Sequence, residues 1–141
     1  MVKKVLFVCT GNICRSPMAE AIFNFKASDD FVAISAGTID DIGYAASEHG
    51  ITLLKKRGID LSNHRSQQVN DSLLKSVDYV YCMGEYHIRF LEREYPEYRE
   101  KYFKLADEDI FDPFRYGIDV YEEVADEIEE KIDELIEEIS D

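Results

Sequence analysis

A cysteine, an arginine and a serine stand at close spacing near the N-terminus, in the segment Cys9-Thr10-Gly11-Asn12-Ile13-Cys14-Arg15-Ser16-Pro17. An apolar run precedes Cys9 and Pro17 suits the first turn of a helix, which indicates a strand, a short loop and a helix start. The N–H groups of such a loop and of the helix N-terminus can surround one oxyanion. Arg15 can bind two phosphoryl oxygens, and Cys9 would lie below the phosphorus as a thiolate. The segment therefore predicts a phosphate-binding loop with a nucleophile at its base.

Other residues of this segment suit such a loop for separate physical reasons. A loop that turns many N–H groups inward needs left-handed or otherwise unusual backbone angles, which Gly11 and Asn12 adopt more readily than other residues. Ser16 can donate a hydrogen bond to the Cys9 thiolate. The alternative is a buried structural cysteine followed by an ordinary helix. The phosphate site is favoured because Cys9 and Arg15 coincide with the strand-to-helix junction.

Several carboxylates crowd one downstream segment, and one of them could supply the proton that a departing ester oxygen needs. They are Asp107, Glu108, Asp109 and Asp112. Like charges raise the pKa of carboxyl groups, so we expect one member to hold a proton near neutral pH. Pro113 restricts the residue before it to extended backbone, which favours Asp112 for a fixed position. Residue types and spacing alone leave the choice among these carboxylates open.

The segment from Cys9 to Ala21 resembles the N-terminal signature of the low molecular weight protein tyrosine phosphatase family. The resemblance continues at Ser35-Ala36-Gly37-Thr38, at Tyr81-Cys82-Met83 and at Asp112-Pro113, and so covers nearly the whole chain in order. It implies a cysteine-dependent protein phosphatase that needs no metal and no other cofactor. It also implies that the general acid is Asp112, because the family's acid is an aspartate followed by proline.

The resemblance implies a role for each site residue. The catalytic residues would be Cys9, Arg15 and Asp112. The substrate-binding residues would be Thr10, Gly11, Asn12, Ile13, Cys14 and Ser16 on the loop, with Phe114 and Tyr116 on the wall. Ser35 and His64 would support the loop by holding Asn12. The chain departs from the family pattern at Ser66-Gln67-Gln68, Gly84 and Phe114-Arg115-Tyr116, and it lacks an aromatic residue near Asp40-Asp41.

The expected substrate is phosphotyrosine, because a deep apolar pocket keeps the shorter phosphoserine away from the nucleophile. Ile13, with Phe114 or Tyr116, can provide the apolar lining. Relatives with threonine at the Ile13 position resemble protein arginine phosphatases, and the isoleucine of this chain departs from that branch. The spacing from Asp112 to Tyr121, however, is similar to it. Phosphoarginine is therefore the alternative substrate.

Two other functions are weaker alternatives. Arsenate reductase, a redox relative on the same loop, needs two further cysteines. Cys82 lies where the first could be, but position 89 is Arg89 and the chain has 3 cysteines in all. A non-catalytic module that binds phosphorylated residues would predict loss of Cys9, Arg15 or Asp112, and all of them are present.

Strand and helix patterns alternate along the chain. Strands are predicted over residues 3–9, 31–36, 77–83 and 102–105, and helices over 17–28, 47–57, 71–76, 85–95 and 120–139. This order predicts an α/β fold in three layers, a four-stranded parallel sheet with helices on both faces. Sites in such folds lie at the carboxyl ends of strands, where Cys9 stands. The first helix is expected to bury Met18, Ala21, Ile22 and Phe25, and the acidic last helix to have a solvated outer face.

Length, composition and charge restrict the class of protein. A chain of 141 residues with 45% hydrophobic residues suits one globular domain, which we place at residues 1–141. Cysteines without paired spacing predict a reducing, cytoplasmic location and no zinc site, and no apolar run approaches a membrane span. The net charge of −14 argues against nucleic acid and anionic membranes as partners. It favours phosphoprotein substrates flanked by lysine or arginine, with inorganic phosphate as the product.

Overall fold

The computed structural model of the chain describes residues 1–140, in which strands and helices alternate. The strands are β1 (Lys3–Cys9), β2 (Phe31–Gly37), β3 (Tyr79–Cys82) and β4 (Tyr102–Lys104). The helices are α1 (Arg15–Lys26), α2 (Glu48–Lys56), α3 (Asp71–Ser76), α4 (Glu85–Glu94) and α5 (Ile118–Ile139). A 3₁₀ helix, Pro96–Lys101, joins α4 to β4. The predicted order of elements is confirmed.

The four strands form one parallel sheet in the order β2-β1-β3-β4. β1 is central, and Val5, Leu6, Phe7 and Val8 are all fully buried, as expected of a strand covered on both faces. Cys9 at the end of β1 pairs in register with Gly37 at the end of β2. The carboxyl ends of these strands therefore meet at one edge of the sheet, where the loops that follow them can build a site.

Alternate residues of β1 enter separate hydrophobic clusters, which places a helical layer on each face of the sheet. Phe7 packs on one face with residues of α1, α2 and α5, among them Ile22, Leu54 and Ile128. Leu6 packs on the other face with Leu74 of α3 and Leu91 of α4. The three-layer α/β architecture predicted from the sequence is confirmed.

Helix α1 differs from its prediction in its start and in its buried face. It begins at Arg15, two residues before the predicted start, and this places the arginine in the first helical turn. Phe23 is fully buried, whereas Phe25 is exposed, so the prediction that Phe25 faces the core is wrong. The helix packs against both β2 and α5. Its buried stripe therefore follows the pairs 18/22 and 19/23 rather than a stripe that includes residue 25.

Helix α5 buries one apolar stripe and turns its carboxylates toward solvent. The buried residues are Tyr121, Val124, Ala125, Ile128, Ile132 and Leu135. Some acidic residues pair with neighbouring helices: Glu129 lies 2.7 Å from Lys26 and 2.8 Å from Arg57. Within residues 1–140, no helix combines the length and the apolar character that crossing a bilayer requires.

Candidate active site

The loop between β1 and α1 forms the floor of a cavity at the carboxyl edge of the sheet. Its Thr10 carbonyl accepts hydrogen bonds from Thr38 N at 2.9 Å and Ile39 N at 3.1 Å. Gly37 permits this approach, because a Cβ atom at that position would lie 2.5 Å from the Thr10 carbonyl oxygen. The loop is thus fastened along one side to the end of β2.

Asn12 holds the turn of the loop from inside the protein. It is fully buried and has the left-handed backbone predicted for it, with φ of 56°. Its side-chain amide nitrogen donates to Ser16 Oγ at 2.8 Å and Ser35 Oγ at 2.9 Å. Its backbone carbonyl oxygen lies 2.8 Å from His64 Nε2. The structure therefore brings Ser35 and His64 into contact with Asn12.

Gly11, unlike Asn12, does not have a left-handed backbone. Asn12 alone supplies the left-handed residue of the turn. A Cβ atom on Gly11 would lie 3.5 Å from Asp41 Oδ2, which is an ordinary contact distance. The segment from Thr10 to Cys14 thus has one left-handed residue rather than two.

Ser16 connects this network to the candidate nucleophile. Its Oγ lies 2.9 Å from Cys9 Sγ. Because the same oxygen already accepts a hydrogen bond from Asn12, its own proton is available to the sulfur. On the other side of Asn12, Ser35 Oγ donates to Glu20 Oε1 at 2.6 Å, and burial raises the pKa of Glu20. This arrangement can stabilise a Cys9 thiolate.

Arg15 is buried, and its guanidinium is held by the surrounding backbone. One terminal nitrogen donates to the Ile110 carbonyl at 3.0 Å, and the other lies 3.6 Å from Asp112 Oδ2. Its Nε is buried without a hydrogen-bond partner among residues 1–140, and Arg15 lines the cavity where an oxyanion would bind. Arg15 is therefore both oriented and free to bind a phosphoryl oxygen.

The carboxylates of the acidic segment 107–112 have different surroundings. Asp109 Oδ1 accepts a hydrogen bond from the Glu85 backbone nitrogen at the start of α4, at 3.0 Å, and lies 3.2 Å from Lys104 Nζ. These contacts lower the pKa of Asp109, so this carboxylate is not the member of the group that is expected to hold a proton near neutral pH. Asp112 lines the cavity instead, and its Oδ1 accepts from the Phe114 backbone nitrogen at 3.1 Å.

The cavity has a volume of about 190 Å³ and brings together most of the predicted residues. Its lining is Cys9, Thr10, Gly11, Ile13, Cys14, Arg15, Ile39, Asp41, Asp112 and Phe114. Asn12 and Ser16 lie behind this lining and act through their hydrogen bonds. Tyr116 is not part of it. That side chain packs edge-on against Phe111, with ring centroids 5.2 Å apart, so the structure does not bring this predicted wall residue to the site.

The three cysteines are unpaired and have different surroundings. Cys14 Sγ lies 3.2 Å from the Tyr121 hydroxyl, and burial raises the pKa of its thiol. Cys82 is fully buried on the opposite face of the sheet, and burial raises its pKa further still. Cys9 ends β1 at the floor of the cavity, and its Sγ is the sulfur that lies beside the Ser16 hydroxyl.

His87, Ile39 and Asp41 were not predicted from the sequence as site residues. His87 is buried in the first turn of α4, and its Nε2 lies 3.0 Å from Thr10 Oγ1. Burial and the nearby Arg15 charge lower its pKa to about 4, so the ring is neutral near pH 7. All three residues follow the carboxyl ends of strands adjacent to β1, which is the signal that could have found them.

A thiol at the end of the first strand, an N–H loop and an arginine at a helix start define a class of enzyme that binds and transfers phosphoryl groups through cysteine. A model of the family described as low molecular weight phosphotyrosine protein phosphatase matches residues 4–141. The chain belongs to this family. It is therefore a hydrolase that acts on phosphoproteins and releases phosphate.

Individual relatives agree with this assignment. The chain is 36% identical over 126 residues to a probable low molecular weight protein-tyrosine-phosphatase EpsP of Ralstonia solanacearum, covering 87% of this chain and 86% of that protein. It is 38% identical over 129 residues to a protein-arginine-phosphatase of Geobacillus stearothermophilus, covering 87% and 86%. The solved structure of a low molecular weight protein tyrosine phosphatase from T. tengcongensis matches with a TM-score of 0.94 and 42% identity, covering 97% of this chain and 99% of that one.

Proposed function

We propose that the protein hydrolyses phosphotyrosine in proteins through a cysteinyl-phosphate intermediate. One observation carries this proposal: a single cavity is lined by Cys9, Arg15 and Asp112 together with the apolar side chains of Ile13 and Phe114. The first three supply a nucleophile, a phosphoryl-binding cation and an acid. The other two supply a wall suited to an aromatic ring.

In the first step, the Cys9 thiolate attacks phosphorus opposite the ester oxygen. The S–P bond forms as the P–O bond to the tyrosyl oxygen breaks, and Asp112 donates a proton to that oxygen. Arg15 Nε and the loop N–H groups bind the equatorial oxygens of the transferring group. These residues supply the positive charge that the reaction needs, so we propose no metal or other cofactor.

In the second step, Asp112 takes a proton from a water molecule, which attacks the phosphorus of the intermediate. The S–P bond breaks and inorganic phosphate forms. The Ser16 hydroxyl, 2.9 Å from Cys9 Sγ, donates to the departing thiolate and makes it a better leaving group. Asn12 fixes the direction of that hydroxyl because it donates to the same oxygen.

Phosphoarginine in proteins is the second candidate substrate. The observation that favours it is the 38% identity to a protein-arginine-phosphatase, together with the Asp112 carboxylate, which can accept from a guanidinium. Ile13 argues for phosphotyrosine, because a branched apolar side chain packs against an aromatic ring but itself offers no acceptor to the N–H groups of a guanidinium.

We also propose that residues 1–141 form one catalytic domain and that it works in the cytoplasm, without nucleic acid or membrane as partner. The location is supported by three unpaired cysteines, which a reducing compartment maintains. The exclusion of nucleic acid and membrane is supported by the net charge of −14, which repels other polyanions.

The test is a comparison of initial rates on one peptide carrying phosphotyrosine, phosphoserine or phosphoarginine at the same position, in the presence of EDTA. We expect phosphotyrosine to give the highest kcat/KM and phosphoserine the lowest. The Cys9→Ser variant, purified in the same way, controls for contaminating phosphatases. A higher kcat/KM for phosphoarginine than for phosphotyrosine would contradict the proposal and favour the second candidate.

A further inference from the structure

One carboxylate at the cavity has no role in the reaction proposed above. Asp41 lies in the loop between β2 and α2 and lines the same cavity as Cys9 and Arg15. Its Oδ2 is 3.5 Å from the position that a Cβ atom on Gly11 would take, so the carboxylate lies directly against the phosphate-binding loop. A negative charge in this place attracts or repels charged side chains that flank the phosphorylated residue of the substrate.

The backbone holds Asp41 from both sides. Before it, Ile39 N donates to the Thr10 carbonyl at 3.1 Å. After it, Gly43 N donates to the Ser66 carbonyl at 2.8 Å and Tyr44 N donates to Ser66 Oγ at 2.9 Å. The free span between these anchors is short, so the backbone that carries the Asp41 carboxylate is restrained before substrate arrives. A charge on a restrained backbone loses less entropy on binding its partner than a charge on a free loop.

Within residues 1–140, Asp41 forms no ion pair, whereas Asp112 pairs with Arg15 and Asp109 pairs with Lys104. The charged lining of the cavity is thus two carboxylates and one guanidinium. A phosphoryl group brings further negative charge. The substrate can offset this excess if it carries a cation close to the phosphorylated residue.

The surface beside Asp41 suits the rest of such a side chain. Ile39 lines the cavity and is 42% exposed, and Ile42 is 63% exposed. Lysine and arginine combine an apolar stem with a charged end, so the stem can cover exposed isoleucine while the end reaches a carboxylate.

We propose that Asp41 is a specificity-determining residue that selects phosphotyrosine sites flanked by lysine or arginine. This inference rests on the proposed function and names its substrate class more closely. A flanking glutamate meets repulsion from Asp41, whereas a flanking lysine meets attraction. Asp41 therefore selects in two ways: it stabilises the complex with a basic peptide and destabilises the complex with an acidic one.

The test uses phosphotyrosine peptides that differ in the residues adjacent to the phosphotyrosine, which are lysine, glutamine or glutamate. We expect kcat/KM for the lysine peptide to exceed that for the glutamate peptide by about tenfold, as the sum of one gained and one repulsive surface pair. The ratio should fall to about twofold in Asp41→Asn and reverse in Asp41→Lys. Salt at about 0.5 M should reduce the wild-type ratio, because exposed charges are screened.

Asp40→Asn is the matched control, because Asp40 is adjacent, exposed and outside the cavity lining. It should keep the wild-type ratio and the wild-type rate on p-nitrophenyl phosphate. An active wild type with a ratio near one, or an unchanged ratio in Asp41→Asn, would overturn this inference and leave the proposed function standing. A wild type that hydrolyses no phosphotyrosine peptide would overturn the proposed function and this inference with it.

Discussion

The floor and the rim of the cavity are built in opposite ways. On the floor, Asn12, Arg15 and Ser16 are buried and linked by hydrogen bonds to one another or to the backbone. On the rim, the apolar side chains of Ile39 and Phe114 line the cavity and are exposed. A mutually bonded floor fixes the geometry of the reacting atoms, whereas exposed side chains on the rim can be exchanged without disturbing those atoms. Chemistry is therefore assigned to the floor and substrate choice to the rim.

The same contrast appears within one acidic segment. Asp109 has its carboxylate committed to the start of α4 and to Lys104, so it is a structural residue. Asp112 is three residues further on, with a side chain that is 49% exposed at the cavity and close to Arg15. Residues of one type, close in sequence, thus belong to different parts of the molecule because of what surrounds them.

The largest effect is expected on the floor. Cys9→Ser should lower turnover by about 10⁴-fold or more, because a serine hydroxyl is a much weaker nucleophile than a thiolate at neutral pH. Phosphate binding should persist, since the N–H groups and Arg15 remain; isothermal titration with phosphate measures it. Cys82→Ala, a change of a buried cysteine outside the cavity, is the control and should keep turnover. Substantial hydrolysis by Cys9→Ser would remove Cys9 from the mechanism.

The next effect tests the division between the two aspartates. Asp112→Ala should slow esters with poor leaving groups by about 10²–10⁴-fold, the usual contribution of a positioned acid. Esters with good leaving groups should be affected less in the first step. Asp109→Asn should change the rate little and lower the stability of the fold, since it weakens the start of α4. If Asp109→Asn is the more damaging variant for catalysis, the acid has been assigned to the wrong carboxylate.

The buried His87 makes the free energy of unfolding of the protein depend on pH. Its folded pKa of about 4 is below the unfolded value near 6.5, so the unfolded state binds the proton first. The free energy of unfolding is therefore independent of His87 protonation above about pH 6.5. It falls as the pH is lowered toward 4, by up to about 3 kcal/mol. Urea unfolding at pH 7 and at about pH 4.5 should show a larger loss for wild type than for His87→Gln. Equal losses in the two proteins would show that His87 is not the responsible group.

The smallest effect is expected where floor and rim meet. Ile13→Thr should shift the ratio of kcat/KM for phosphotyrosine over phosphoarginine toward phosphoarginine by about 1–3 kcal/mol, the usual size of a single-group difference in a pocket. Threonine keeps the branched shape but supplies an acceptor oxygen and removes apolar contact. Ile39→Thr, a similar change at a different wall, is the comparison. A ratio that moves with Ile39→Thr and not with Ile13→Thr would place the selection elsewhere on the rim.

Much of the fold was predictable because its strands and helices carry their own signals. β1 and α3 have the predicted bounds, since β1 is a continuous apolar run between polar residues and α3 begins after the capping residue Asn70. The 3₁₀ helix at Pro96–Lys101 was missed, because proline marks the end of α4 and also suits the first position of a new helix. Phe25 was misplaced because periodicity does not say which neighbours a helix packs against.

The site was predictable where its parts are close in sequence. Cys9, Arg15 and Ser16 lie within one short segment, so their spacing identified them. His87 contacts a residue 77 positions away, and the approach of Asp41 to Gly11 depends on how the loop after β2 is fastened to Ser66. Tyr116 was assigned to the wall from its position after Asp112-Pro113, but its ring packs on Phe111. Contacts of these kinds are set by tertiary structure and have no local signal.

The central claim, that phosphoryl transfer passes through Cys9 with Asp112 acting in both steps, is tested most directly by trapping the intermediate. The Asp112→Ala variant should still react with p-nitrophenyl phosphate, whose leaving group needs little protonation, but should hydrolyse the intermediate slowly for lack of a base. Acid quenching during the first turnovers, followed by peptide mass spectrometry, should find one phosphoryl group on Cys9. A phosphoryl group on another residue, or an unmodified Cys9 while p-nitrophenol is released in a burst, would contradict the account.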